Sequence, residues 1–412
     1  MKYVVIGASA AGINGAKTLR KLNPCADITL ISKDTQIHSR CILHHYLKGK
    51  RGIQELNFAE DNFADKYKIQ WLSGTEVTGV SPKEGKLNLS DGQSVLFDKL
   101  LIATGSHTHM PPIPNLDKAA NVFGLRTLDD ALLIKKQALT AKNIVVLGAG
   151  LVGIDAVEGL LSHIGNGRNI SIVEAKGNIL PMQLDERAAK AYQDAFAARG
   201  VKQYYNTSVE NVGIDQQNKV YELILADGTR LACDFLVMAT GVRANINFLQ
   251  DSGIICDTHG LVFDKYGKTS AENIYGAGDV SGKSPIWPTA VKEGIIAASN
   301  MAGKTLELKD FFASKSAMNF LGTATVSLGD PNIKDPSCNV ETLSDKKGNY
   351  KKIIHKNGVI LGAIIQGDLS YCGVLTQIIK EEIDISRVKK PVFLIDYSDF
   401  FHLTKDLQFE YV

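Results

Sequence analysis

Two spacings of apolar residues alternate along this chain. The run Tyr3-Val4-Val5-Ile6 leads into a small-residue turn, GASAAG from Gly7 to Gly12, then a helical spacing that lasts to about Leu22, then a second apolar run, Ile28-Thr29-Leu30-Ile31. Strand, turn, helix and strand in that order predict a βαβ unit. The same order returns at Ile144-Val145-Val146-Leu147, with GAGLVG from Gly148 to Gly153, a helix to about Ile164, and Ile170-Ser171-Ile172-Val173-Glu174. Each turn thus stands between a predicted strand and a predicted helix, the context in which it cradles a dinucleotide. Its first glycine permits the tight turn and the second lets the backbone approach a pyrophosphate. The third lets helix and strand pack closely, and the helix N-terminus offers N–H groups to the phosphates.

The repeat extends beyond the turns. Asp91-Gly92 and Asp227-Gly228 each precede by seven residues a strand that opens on aspartate and ends in ATG, Asp98 to Gly105 and Asp234 to Gly241. Short strand-like segments such as Lys86-Leu-Asn-Leu and Tyr221-Glu-Leu-Ile-Leu lie before these strands, with Asp-Gly turns between.

With two glycine turns, two ATG strands and the segment Thr269 to Val280, which contains Gly276-Ala277-Gly278-Asp279, the first 305 or so residues resemble the FAD-dependent pyridine nucleotide-disulfide oxidoreductases. The resemblance implies an α/β chain with two Rossmann-like dinucleotide-binding domains and a small α+β C-terminal domain. FAD would occupy residues 1–112 and 242–307, NAD the inserted residues 113–241, and residues 308–412 would serve dimerisation or acceptor docking. FAD contacts are then expected from Gly7, Ser9, Ala10, Ala11 and Gly12, from Ser32, Lys33 and Asp34, and from Arg40, Val77, Ala103, Thr104 and Gly105. Gly278 and Asp279 would meet the flavin ribitol, and Pro288 and Thr289 open a helix whose N-terminus would face the flavin pyrimidine. Ser9 replaces the middle glycine of the first turn, and Ser32 stands where relatives often place an acidic ribose ligand, so a hydroxyl at Ser32 or the carboxylate of Asp34 is left for that task. NADH contacts are expected from Gly148, Gly150, Leu151, Val152, Gly153, Glu174 and Gly241. The Glu174 carboxylate can accept from both adenosine ribose hydroxyls and would repel a 2′-phosphate, which favours NADH over NADPH.

The segment Ile37 to Leu47 carries the candidate chemistry, and the resemblance places it beside the flavin. Aligned with coenzyme A-disulfide reductases and NADH peroxidases, Cys41 takes the place of a single redox cysteine. Aligned with the rubredoxin and ferredoxin reductases, Arg40 matches an arginine on the FAD pyrophosphate and His45 falls where a lysine approaches the flavin, while the C-terminal region resembles the small domain of rubredoxin reductases and of the flavin module of nitrite reductases. Asp155 would orient the nicotinamide, or else is a first-turn aspartate favoured by the helix dipole. The residue type at Ala10, where the peroxidases and oxidases carry histidine, weakens peroxide reduction.

Composition narrows the classes. A net charge of +2, with no basic cluster interleaved with aromatics, gives no footprint for nucleic acid or anionic lipid. No uncharged run reaches the ~18 residues of a membrane helix and no leader precedes the first strand, so a cytoplasmic protein with no membrane partner is expected. The six cysteines show no CxxC or CxxxxC spacing, which excludes a local redox disulfide and a clustered iron–sulfur site, and no metal is expected. The C-terminal region, opening at Phe311-Phe312, has strand-like segments around residues 351–355 and 359–368 and a helix from Leu375. The resulting expectation is an FAD-dependent NADH oxidoreductase, with a last domain suited to forming a homodimer, that passes electrons to a small carrier protein or partner subunit. Two alternatives stay open: a thiol-dependent coenzyme A-disulfide or persulfide reductase or NADH oxidase using Cys41, and an FAD- and NADH-binding redox sensor.

Overall fold

The computed structural model describes residues 1–164, 167–283, 285–309 and 315–411, so the Phe311-Phe312 opening of the C-terminal region lies outside the described residues. The chain forms two compact units, one of Met1–Gly148, Asp155–Arg168 and Val209–Ala313, the other of Ala149–Ile154, Asn169–Ser208 and Ser314–Val412.

In the first unit the run Lys2–Ile6 becomes the middle of a five-stranded parallel sheet. Ile274–Gly276, Lys99–Ile102, Lys2–Ile6, Asp27–Ser32 and Gln70–Ser73 follow one another across it. Side chains alternate across a strand, and both faces of this sheet are covered, which is why its central runs are predominantly apolar. Val5, Leu30 and Leu101 enter one core with Ile13 and Leu19 of the helix Ala10–Leu22. Val4, Ile31, Leu100 and Ile102 enter a second core, with Leu87 and Leu261. The helix Trp287–Met301 packs on Ala10–Leu22 at very short range: a Cβ at Gly294 would lie 2.2 Å from the Ala11 carbonyl oxygen.

The two copies of the repeat meet at their ATG ends. Ser106–Thr108 and Val242–Ala244, the segments just after each ATG, pair antiparallel as a two-stranded ribbon. The Thr104 hydroxyl donates to Asn245 O (2.9 Å) and the Thr240 hydroxyl to His109 O (2.7 Å), a reciprocal pair of bonds from equivalent threonines. The Asp-Gly segments are the expected antiparallel hairpins, with Gly92 and Gly228 at positive φ, and a second parallel ladder joins Asn143–Leu147 to Phe235–Met238 and then to Val122–Phe123.

The second unit holds the parallel pair Asn169–Val173 and Lys202–Tyr204, the helix Glu186–Ala197, and an antiparallel C-terminal sheet. Its strands run Lys315–Phe320, Thr323–Gly329, Val359–Gln366, Tyr350–Lys356 and Asn339–Ser344, and the helix Cys372–Lys380 lies against it. Polar anchors fix Glu186–Ala197 to that sheet. Asp185 caps the helix by accepting from Ala188 N–H and also receives the Tyr350 hydroxyl (2.7 Å) and Lys352 (3.1 Å). Parallel Rossmann-like sheets and a C-terminal sheet domain are therefore the observed α/β architecture. Among the described residues no helix is long and apolar enough to cross a membrane.

Candidate active site

At the end of the first strand Gly7 adopts φ +109°, a conformation that L side chains rarely take, and its N–H donates to Ile31 O. A Cβ there would stand 2.1 Å from Ala103 O, and one at Gly12 only 1.8 Å from Gly7 O. The turn is thus closed by contact of backbone on backbone. Ser9 sits at the N-cap of Ala10–Leu22 with extended backbone and no side-chain cap bond, so no side chain occupies the N–H groups at that helix end.

This turn floors a cavity of about 670 Å³. Gly7, Ser9, Ala10 and Ala11 line it, as do Ser32, Lys33 and Asp34 from the end of the second strand. Arg40, Cys41, Val77, the whole of Ala103-Thr104-Gly105, and Gly278-Asp279 complete the expected set. Gly12 lies behind the turn, and Pro288 and Thr289 are flanked by Trp287 and Ala290, which do line the cavity. The volume falls inside the usual ~300–1,000 Å³ of a cofactor pocket. A glycine floor without Cβ atoms, a helix end free of side-chain caps and two arginines on the wall suit a pyrophosphate, so the residues present fit FAD.

Several groups around the cavity are already paired. Arg40 donates to Asp34 Oδ2 (2.6 Å) and to Arg126 O (2.7 Å). Arg126 in turn forms an ion pair with Asp279 and donates to Ser106 Oγ (2.8 Å). Ser32 Oγ donates to Asp34 O and accepts from Trp71 Nε1, so its proton is committed within the protein. Arg126, Asp130 and Ser106 were not singled out from sequence. A signal existed, because Thr127-x-x-Asp130 is a capping box, realised here with Asp130 Oδ2 accepting from the N–H groups of Arg126 and Thr127, and it fixes an arginine at the mouth of a helix.

The segment bearing Cys41 is a 3-10 turn, Arg40–Ile42, followed by a short helix, Leu43–Leu47, with no side-chain cap on either. The Cys41 side chain opens into the cavity. A helix N-terminus beside a cofactor favours a thiolate. Instead burial pushes this thiol up from its ordinary value, and only Arg126 pulls it down. His44 lies 3.5 Å from Asp155 on the helix Leu151–Ile164. Burial, then the nearby His45 and Lys48, lower His44 to about 3, and burial raises Asp155 to about 7, with Glu158 adding to the rise. Lys48 and Glu158 form an ion pair one turn on, with side chains only 8% and 13% exposed. A Cβ at Gly159 would lie 2.8 Å from Leu47 Cβ, so the two helices touch. His45 does not line the cavity; burial lowers it, and among the described residues its buried Nδ1 has no hydrogen-bond partner.

The second glycine turn repeats the geometry of the first. Gly148 has φ +106°, and a Cβ there would lie 2.4 Å from Ala239 O, as Gly7 meets Ala103. At Gly150 a Cβ would meet nothing within 4 Å, so the backbone is open to a ligand. Glu174 Oε2 accepts from Ala149 N–H (2.8 Å) and Oε1 from Lys176 N–H (2.9 Å), which sets the carboxylate at the turn. Gly153 is buried, Leu151 half-buried and Val152 exposed, and Gly241, at φ +97°, accepts from His109 N–H.

Turn, ATG crossing and Gly-Asp segment together define a two-nucleotide oxidoreductase fold. Residues 1–294 match the pyridine nucleotide-disulphide oxidoreductase family, and the chain belongs to it. It is an FAD-dependent oxidoreductase using NADH. Residues 316–383 match the rubredoxin NAD+ reductase C-terminal domain. The chain is 28% identical over 401 residues to the NADH-dependent phenylglyoxylate dehydrogenase subunit epsilon of Aromatoleum evansii, covering 94% of this chain and 93% of that protein. It is 27% identical over 391 residues to the NADH-rubredoxin oxidoreductase of Clostridium acetobutylicum, covering 94% and 95%. The crystal structure of that reductase has the same fold, with a TM-score of 0.78 at 25% identity over 94% of this chain and 97% of that one. A putidaredoxin reductase–putidaredoxin complex also shares the fold, with a TM-score of 0.82 at 22% identity over 93% and 94%.

Proposed function

We propose that this enzyme delivers electrons from NADH to a small electron-carrier protein or to a partner subunit of a larger complex. The observation that carries the reading is likeness along nearly the whole chain, C-terminal domain included, to an NADH-rubredoxin oxidoreductase and to a subunit of an NADH-dependent dehydrogenase. FAD, when bound, supplies the chemistry of accepting a hydride and releasing electrons. The chain's own part is binding and alignment. The first-turn amides and Arg40 hold the pyrophosphate, and Asp279, kept in place by Arg126, holds the ribitol. Glu174 holds the NADH ribose, and Asp155 sets the nicotinamide end. Residues 1–112 with 242–307 bind FAD, residues 113–241 bind NADH, and residues 308–412 dock the acceptor.

A second reading has Cys41 on the cavity wall as the working thiol of a disulfide or persulfide reductase. The rise of that thiol on burial speaks against it, since the thiolate is the reactive form. Replacing Cys41 by Ser separates the two. The carrier reading expects NADH-driven reduction of a one-electron dye or a rubredoxin-type carrier to stay within about twofold, and an anaerobic NADH titration to show no long-wavelength band that the substitution removes. A loss of about a hundredfold or more in the Cys41→Ser enzyme overturns it.

A further inference from the structure

The second glycine turn is held in place by residues well beyond it in the chain. Ala149 N–H donates to Glu174 Oε2 (2.8 Å), and Ala149 O accepts from Leu180 N–H (2.8 Å). That oxygen belongs to the same peptide as the Gly150 N–H, and in a planar trans peptide the two point opposite ways. The Gly150 N–H therefore faces away from Leu180, at a residue whose own Cβ would meet nothing within 4 Å. Leu180 is fully buried and stands at φ +51°, a left-handed conformation that is strained for leucine and persists only where the surroundings fix it. Residues 180–184 form a tight turn in which Gln183 N–H and Leu184 N–H both donate to Leu180 O (2.9 Å each). One side chain then spans two carbonyls of that turn: Asn332 Nδ2 donates to Pro181 O (3.1 Å) and to Leu184 O (3.3 Å).

Asn332 stands just after the strand Thr323–Gly329 of the C-terminal sheet, on a firm base. Asp330 N–H donates to Leu361 O (3.1 Å), Asn332 N–H to Asp330 Oδ1 (3.0 Å) and Lys352 to Pro331 O (3.0 Å). Lys352 also pairs with Asp185, the cap of the helix Glu186–Ala197 that follows residues 180–184. We propose that the C-terminal domain is a working part of the NADH site, with Asn332 as its positioning residue: by fastening residues 180–184 it holds the peptide between Ala149 and Gly150 in the orientation that offers the Gly150 N–H to the NADH pyrophosphate. The proposal rests on the reading that this glycine turn holds NADH. Without the Asn332 amide, Pro181 O loses its donor and Leu180 can relax toward an ordinary φ, taking its N–H away from Ala149 O. The peptide is then free to turn, and the amide that a phosphate would meet is no longer set in advance. None of these residues lines the cavity that fits FAD, so the effect belongs to NADH alone.

The test uses the full-length, FAD-loaded enzyme with Asn332→Ala, which removes the donor, and with Asn332→Asp, which keeps the shape but turns an acceptor toward two carbonyl oxygens. ADP-ribose carries the pyrophosphate and adenosine of NADH without its nicotinamide. Its binding to the oxidised enzyme is measured by calorimetry, beside KM and kcat for NADH-driven reduction of a dye. Both variants are expected to bind ADP-ribose about tenfold more weakly and to raise KM for NADH by a similar factor, while kcat at saturating NADH and flavin content stay within about twofold of wild type. ADP-ribose affinity within about twofold of wild type in both variants overturns the role of Asn332. Loss of folding, of flavin or of kcat as large as the loss of affinity in both variants also overturns it, because that is the mark of a general structural role. A wild-type enzyme that does not bind ADP-ribose would instead overturn the underlying assignment of the second glycine turn. If only the alanine variant fails to fold, the aspartate variant decides.

Discussion

Glu174 shows how a single carboxylate can be placed by its own backbone. Both of its oxygens accept from N–H groups of its own neighbourhood, Ala149 and Lys176, and each oxygen keeps lone-pair capacity for a ribose hydroxyl. Glu174→Gln retains one acceptor and removes the charge, so the preference for NADH over NADPH, measured as the ratio of kcat/KM values, should fall about tenfold; an unchanged ratio would mean that the charge does not select the cofactor. At this scale the glycines were legible. Gly7, Gly148, Gly105 and Gly241 could be read from the sequence because each performs a local task that no other residue performs as well. Arg126 and Asn332 were not legible. Their meaning comes from partners 153 and 151 positions away, Asp279 and Pro181, and no local spacing announces such pairs. Cys41 lines the cavity, and its proton affinity was not legible because burial is a property of the fold.

Elements tell a similar story with a different weak point. Strands and long helices followed the apolar periods, but within the Ile37 to Leu47 segment the chain forms only a 3-10 turn, Arg40–Ile42, and a five-residue helix, Leu43–Leu47. So short a helix has little propensity of its own and is held by what it packs on. Here that is the helix Leu128–Ala138, whose Lys135 donates to Tyr46 O (3.1 Å) and lies over the Tyr46 ring, together with Leu151–Ile164, through the Gly159 contact and the Lys48–Glu158 ion pair. Removing one partner of a buried pair leaves an uncompensated charge, so Lys48→Met should cost about 3–5 kcal/mol in chemical unfolding, whereas Lys48→Met with Glu158→Leu should regain most of it. Single and double variants of equal stability would show that the pair does not hold the two helices together. The same contact places Asp155 against His44, so loosening it should also shift whatever rate depends on that pair.

Across the whole molecule, duplication was the most legible feature, since two copies of strand, glycine turn, Asp-Gly hairpin and ATG carry their own internal control. How the copies join was not legible: the reciprocal Thr104 and Thr240 bonds depend on two ends separated by more than a hundred residues. The position of Arg126 has a practical corollary for anyone wishing to exchange the nicotinamide-binding module for one of different specificity. Counted along the chain, this arginine falls in the segment proposed to bind NADH, yet its guanidinium pairs with Asp279 on the wall of the cavity proposed to bind FAD. The splice point that sequence suggests, at residue 113, would carry it away with the donor. A chimera cut there, with a donor lacking arginine at that place, is expected to purify with at least about tenfold less flavin than one cut after Ala138, which keeps Arg126 and its capping aspartate Asp130; equal flavin content in both would show that the brace is dispensable. On that proposal the boundary between the two nucleotide modules is drawn by a side chain and not by the order of the elements.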